Sequence, residues 1–312
     1  MAPKLLFIEG IPGSGKSTFA RFIDTQLQRN GYCCKLYHES AFEHPIIMRD
    51  TADNAEHFIT KYKENWTQFI YTLMKDDETI YIFEAALIQN TLLHLLSKEV
   101  PEKRIVELWE EIEHMLQPFD CWLVYFDQED TLAAVAQMVE ARGGEPYLQR
   151  KYEEFKHEPY FQARRELGPS SFYPYFEQFA ALAGKSAIGF TKWRTWRFIN
   201  KDKNWAPFEA QILDAWGVKH IPDPRVDKKI LQQYIGSYRN ESMGMTLKVE
   251  LLGDALYIFG NKRLRPHSES RFYLDDMSAE ITFDTAGDGI RMRITEKDYY
   301  ANRSDDGTLF YK

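Results

Sequence analysis

The chain of 312 residues has little cysteine and no cysteine pattern. Cys33, Cys34 and Cys121 are odd in number, which argues against a disulfide-built fold. Cys33 and Cys34 are neighbours in a strand-like stretch, so their side chains point to opposite faces and pair poorly. All three read as buried, reduced thiols, and a cytoplasmic protein is expected. The eight histidines show no metal-ligand spacing, and no Cys/His cluster suggests zinc. No apolar run reaches the roughly 20 residues of a membrane-spanning helix. The first apolar stretch begins at Leu5, so no leader is expected. Positive charge is also in deficit: 39 Lys and Arg stand against 47 Asp and Glu, a net charge of −8. Nonspecific binding to nucleic acid or to an anionic membrane is therefore not expected. There is no internal repeat and no low-complexity tract. What remains is 44% hydrophobic and 28% charged, an ordinary globular composition, in a chain long enough for two cores.

One stretch carries an explicit chemical signal. Leu5–Ile8 is a short apolar run suited to a strand buried on both faces. Gly10-Ile11-Pro12-Gly13-Ser14-Gly15-Lys16-Ser17 then fits G-x-x-x-x-G-K-[ST], the P-loop pattern. Phe19, Phe22, Ile23 and Leu27 follow at helical spacing, and Asn30-Gly31 stops the helix. Glycines let successive backbone N–H groups converge on one concavity, and the helix N-terminus adds positive potential there. Gly10, Gly13, Ser14, Gly15, Lys16, Ser17 and Thr18 are the expected nucleotide-binding set. Lys16, solvated beside an open loop, would reach the β- and γ-phosphates of ATP, and the Ser17 hydroxyl would ligate Mg²⁺.

The rest of the first 217 residues alternates strand-like and helix-like segments, as an α/β domain does. Strands are expected at Cys34–His38, Thr79–Phe83, Cys121–Phe126 and Thr195–Ile199. Helices are expected around Glu56–Met74, over 102–116, along a charged region from Leu132 to about Leu167, and over Pro207–Trp216. The expected fold is thus a P-loop parallel sheet with flanking helices, over residues 1–217. Residues 218–229 read as a linker, with two prolines just inside it and charges at its end. Beyond it, short alternating segments start at Tyr234, Met245, Ala255, Ser270, Ala279, Ile290 and Thr308, punctuated by glycines. Residues 230–312 are expected to form a small antiparallel barrel or sandwich of about eight strands.

Three acids end predicted strands, at the sheet edge where open parallel sheets bind ligands. They are Glu39 in LYHES, Glu84 in YIFEAALIQN and Asp127 in VYFDQED. Asp127 also suits a helix start, so Glu39 and Glu84 are the functional candidates. Together with the phosphate loop, these segments resemble the thymidylate kinase and deoxyribonucleoside kinase group. The resemblance implies that Glu39 is the base that takes a proton from an acceptor hydroxyl. It aligns Glu84 with an acid that the group follows with arginine, and here Ala85 stands in the arginine's place. Glu84 with Ser17 would hold the metal. The group also carries an arginine-rich lid. EARGGEPYLQRKYEEFKHEPYFQARRELG matches it with Arg142, Arg150, Lys151, Arg164 and Arg165, and Arg142, before the Gly143-Gly144 hinge, is the catalytic choice. Ile199–Trp205 matches the adenine-wrapping segment after the fifth strand, and Trp66 is a modest candidate for the acceptor pocket.

The C-terminal segment resembles the lipocalin-like domain that trails some penicillin-binding-protein-type hydrolases. The likeness rests on YIGSYRNESMGMTLKVELLGDALYIF, RLRPHSESRFYL and AEITFD, and the serine hydrolase motifs are absent. It implies a barrel that holds a ligand, covers a site or joins copies into a homo-oligomer. The expected activity is transfer of the γ-phosphate of ATP, with Mg²⁺, to a hydroxyl or phosphate of a small-molecule acceptor. A P-loop NTPase switch driven by a macromolecular partner is the rival reading, and a nucleotide-binding scaffold without turnover is a third.

Overall fold

The computed structural model describes residues 4–41, 44–48, 54–199, 204–275, 279–284, 289–296 and 307–312. The chain divides into two compact units, 1–39 with 44–219, and 40–43 with 220–312.

In the first unit the elements are β1 (Leu5–Gly10), α1 (Lys16–Arg29), β2 (Cys34–Tyr37), α2 (Ala55–Leu73), β3 (Ile80–Glu84), α3 (Gln89–Ser97) and α4 (Glu102–Met115). β4 (Cys121–Asp127), α5 (Thr131–Ala141), α6 (Glu145–Phe155), α7 (Pro159–Gln162), α8 (Phe172–Gly189), β5 (Arg194–Ile199) and α9 (Ala206–Trp216) complete it. The five strands form one parallel sheet in the order β2-β3-β1-β4-β5. β1 is central and apolar on both faces because helices cover both. Leu5 and Phe7 face one core with α2, α3, α4, α5 and α8, while Leu6 and Ile8 face a second core with α1 and α9. Glu9 shares the face of Leu5 and Phe7 by the period of two along a strand.

The charged helical region divides at the expected Gly143-Gly144 hinge and again before Pro159. Gly143 and Gly144 adopt φ of 110° and 67° between α5 and α6, and Pro159 starts α7. A 3₁₀ turn, Arg165–Ser171, leads into α8, the longest element not expected from the sequence. α8 buries Phe172, Tyr175, Phe176, Phe179, Leu182 and Ala183. The thiols also depart from expectation: Cys121 is buried, but Cys34 is half-buried and Cys33 exposed.

The second unit opens with α10 (Lys228–Tyr234), where the end of a linker and the start of a strand were expected. Asp227 caps it by accepting from the Lys229 N–H at 2.7 Å. There follow β6 (Gly236–Asn240), β7 (Met245–Leu252), β8 (Ala255–Ile258), β9 (Lys262–Arg263), β10 (Arg265–Pro266), β11 (Arg271–Tyr273), β12 (Ala279–Asp284), β13 (Arg291–Glu296) and β14 (Thr308–Tyr311). These make a nearly closed antiparallel sheet of nine strands, ordered β10-β11-β12-β13-β14-β6-β7-β8-β9. The two ends of that order, β9 and β10, are separated in sequence by Leu264 alone. Taken as one bent strand they give the eight of the sequence reading. The interior is filled by Tyr238, Val249, Ile258, Phe272, Phe283 and Phe310, with Tyr234 of α10 stacked on Phe283 at 4.2 Å.

Candidate functional site

The loop between β1 and α1 lies at the carboxyl edge of the central strand. Two of its glycines are required by what surrounds them. Gly15 has φ 92°, and a Cβ there would meet the Trp205 ring at 2.0 Å. Gly13 has φ 82°, and a Cβ would meet Met138 Cγ of α5 at 2.8 Å. Both positions thus demand the left-handed region and close approach at once. At the far end of the loop a Cβ on Gly10 would meet the Phe126 carbonyl oxygen at 2.7 Å. Among the described residues the Ser14 hydroxyl has no hydrogen-bond partner. The first-turn N–H groups of α1, at Lys16, Ser17 and Thr18, precede the Phe19 N–H to Gly15 carbonyl bond at 3.1 Å, and no side chain caps the helix.

Lys16 is only 4% exposed, not solvated as expected, and its ammonium donates to the Ile11 carbonyl at 3.0 Å. The side chain is folded back onto its own loop. Ser17 Oγ donates to Glu84 Oε1 at 3.1 Å. Glu84, 1% exposed at the end of β3, also accepts the Glu39 backbone N–H on Oε2 at 2.9 Å, with His38 Nε2 3.8 Å from the same oxygen. The strand ends therefore bring Lys16, Ser17, Glu39 and Glu84 to one place, as the sequence reading required. The Ser17 hydroxyl and the Glu84 carboxylate are hard oxygen donors and suit a Mg²⁺ ion that keeps most of its ligands from phosphate and water. No group of three or more His, Cys, Asp or Glu is arranged to hold a metal among the described residues.

Glu39 is half-buried, and burial followed by the neighbouring Glu84 carboxylate pushes its carboxyl above the usual range. Lys16, His38 and Arg142 pull it back. Gln89 Nε2 donates to Glu39 Oε2 at 2.6 Å. Behind this set Glu9 is fully buried on β1, and desolvation raises its carboxyl to about 7 despite the N–H groups of Gln89, Leu87 and Ile88. The Leu87 N–H donates to Glu9 Oε1 at 2.7 Å and the Gln89 N–H to Oε2 at 2.9 Å.

The remaining expectations divide. Asp127 is occupied by Arg197, whose Nε donates to it at 2.6 Å. Trp66 is fully enclosed by Phe7, Tyr62, Phe69 and Phe83, so it is a core residue and not an acceptor-pocket wall. Arg142 Nη1 donates to the Tyr147 hydroxyl at 2.8 Å, and Arg142 and Arg150 both lie near the Tyr147 ring. Arg164 is spent elsewhere, on Glu99 at 3.0 Å and over the Tyr160 ring at 3.8 Å. Lys151 pairs with Glu154. Of the adenine-wrapping segment, residues 200–203 lie outside the described residues, as do Phe42 and Glu43 of the loop after Glu39. Gln89 and Glu9 were missed. Glu9 had a signal, a carboxylate inside the apolar run LLFIEG, whereas Gln89 in ALIQN had none.

Comparison with known proteins reaches the second unit only. A family model described as a domain of unknown function (DUF3471) matches residues 222–306. No curated protein matches the chain. No helix among the described residues is long and apolar enough to cross a membrane.

Proposed function

We propose that the first unit is a P-loop phosphotransferase that moves the γ-phosphate of ATP to a hydroxyl or phosphate oxygen of a small molecule. The observation that carries this reading is the Ser17–Glu84–Glu39 chain beside the glycine loop. It sets a metal-binding pair and a raised carboxylate within one hydrogen-bonded group. The loop N–H groups and Lys16 would bind the β- and γ-phosphates, with Lys16 released from the Ile11 carbonyl as it engages them. Mg²⁺ on Ser17 and Glu84 would offset charge on the phosphates. Glu39 accepts the proton of an acceptor hydroxyl, the acceptor oxygen bonds to the γ-phosphorus, and the bond to the β–γ bridging oxygen breaks to leave ADP. A carboxyl raised by burial and a like charge is suited to that proton transfer. Arg142, whose charge already reaches Glu39, would close on the transferred group.

The test is MgATP binding by calorimetry, followed by ADP release against a panel of nucleosides, nucleoside monophosphates and hydroxylated metabolites. One panel member should accelerate ADP release and gain the mass of a phosphoryl group. Binding without stimulation by any small molecule, but with stimulation by a macromolecular fraction, would replace this reading with an NTPase switch.

A further inference from the structure

Glu39 is held by a structure that runs back to the central strand. Ala85, the first residue after β3, has φ 60°, an unusual conformation for alanine. Its N–H donates to the Ile8 carbonyl at 3.0 Å, and its carbonyl accepts from Asn90 Nδ2 at 2.7 Å. One residue on from Ile8, the Glu9 carboxylate takes the Leu87 and Gln89 N–H groups. The 85–89 turn is thereby tied to β1 at three N–H groups. Its last residue, Gln89, is 3% exposed, so its side chain cannot swing into solvent. A carboxylate only accepts hydrogen bonds, so the amide must present Nε2 to Glu39. This leaves Gln89 Oε1 buried without a hydrogen-bond partner among the described residues, the cost of presenting Nε2 to Glu39.

We propose that Gln89 is a positioning residue for the Glu39 carboxylate, and that Glu9 sets it by anchoring the 85–89 turn to the central strand. The proposal rests on the reading of Glu39 as the base. The Glu84 carboxylate repels that of Glu39, and a neutral, immobile donor offsets the repulsion. Misplacing a reacting group by about 1 Å can cost on the order of 100-fold in rate. The sequence LLFIEG is then more than a strand before a phosphate loop, because its one charge aligns the other half of the site.

The test is a double-mutant cycle on MgATP hydrolysis with water as acceptor, together with the Gln89 side-chain amide signal in nitrogen-15 spectra. Gln89→Leu should lower kcat about 10- to 100-fold while KM for ATP stays within about twofold. In a Glu39→Gln background it should cost nothing further, because the carboxylate that Gln89 positions is already gone. One Gln89 amide proton should be shifted downfield and slow to exchange in the parent, and should lose both properties in Glu39→Ala and in Glu9→Gln. Equal losses from Gln89→Leu in both backgrounds, or an amide signal indifferent to Glu39→Ala or to Glu9→Gln, would overturn the proposal. If no acceptor, water included, supports MgATP turnover, or Glu39→Gln is as active as the parent, the phosphotransfer reading fails instead, and the amide signal alone decides whether Gln89 is held by Glu39 and Glu9.

Discussion

Two buried groups of the first unit should drive its stability in opposite directions over the same pH range. Glu9 titrates normally near 4.5 and is raised to about 7 by burial. Between those values the folded state holds a proton that the unfolded chain has released. Stability therefore falls as pH rises from 4.5 to 7. His94 titrates normally near 6.5 and is lowered to about 4, by burial first and by Lys98 second, with its ring stacked on Phe58 at 4.1 Å. Between 4 and 6.5 the unfolded chain binds the extra proton, so stability rises with pH. Each displacement corresponds to about 3 kcal/mol at the far end of its window. The parent protein should show almost none of this, since the two slopes cancel. Glu9→Gln should unmask the histidine slope, and relative to the parent it should gain about 3 kcal/mol from pH 4.5 to 7, the window in which Glu9 opposes folding. His94→Gln should unmask the opposite slope, losing about as much relative to the parent from pH 4 to 6.5. Glu39, also raised, is untouched by His94→Gln and drops out of that difference. The assay is urea unfolding by tryptophan fluorescence across that range. All seven tryptophans precede residue 217, so the signal reads the first unit alone. A uniform loss in Glu9→Gln from its misplaced amide is compatible with the reasoning, but a difference from the parent that is flat in pH refutes it.

Other outcomes follow from the same contacts. Gly15→Ala should lower the urea midpoint and abolish MgATP binding by calorimetry, since its Cβ would enter the Trp205 ring and its backbone strain alone costs about 1–2 kcal/mol. Lys16→Ala should abolish MgATP turnover while the cooperative unfolding transition persists. Glu39→Gln should reduce kcat about 10²–10⁴-fold with little change in ATP affinity by calorimetry; a collapse of affinity with kcat intact would make it a binding residue. In the second unit Arg265 donates to Asp223 at 2.6 Å and to Asp275 at 3.4 Å, so Arg265→Ala should destabilise that unit by about 1–3 kcal/mol in far-ultraviolet circular dichroism melts.

The sheet and the residues at its carboxyl edge were legible because their signals are local. A hydrophobic strand before a fixed loop pattern, and acids at strand ends, can be read without knowing what packs on what. What failed was set by tertiary partners. Trp66 looked like a pocket wall, but an aromatic stripe on a helix has two possible environments, and Phe7 and Phe83 from the sheet decide that it is core. Lys16 looked solvated because nothing in the sequence says that it folds onto Ile11. The spacing of Phe172, Tyr175, Phe176 and Phe179 is helical, yet Gly184 and Gly189 dilute the pattern downstream, and α8 went unread. Gln89 matters only through a hydrogen bond to a residue fifty positions earlier in the chain.

The barrel's order has a consequence for the chain as it is made. β14, the final strand, lies between β13 and β6, pairing Tyr311 with Arg239, and Asn240 donates to the Leu309 carbonyl at 2.9 Å. Until Thr308–Tyr311 has left the ribosome, β6 and β13 are open edges, each presenting unpaired backbone groups, in addition to the ends β9 and β10. Such edges recruit strands from other chains. A nascent or nicked polypeptide stopping at residue 306, the limit of the matched family domain, would carry both edges permanently and should be captured by its own copies before it could fold.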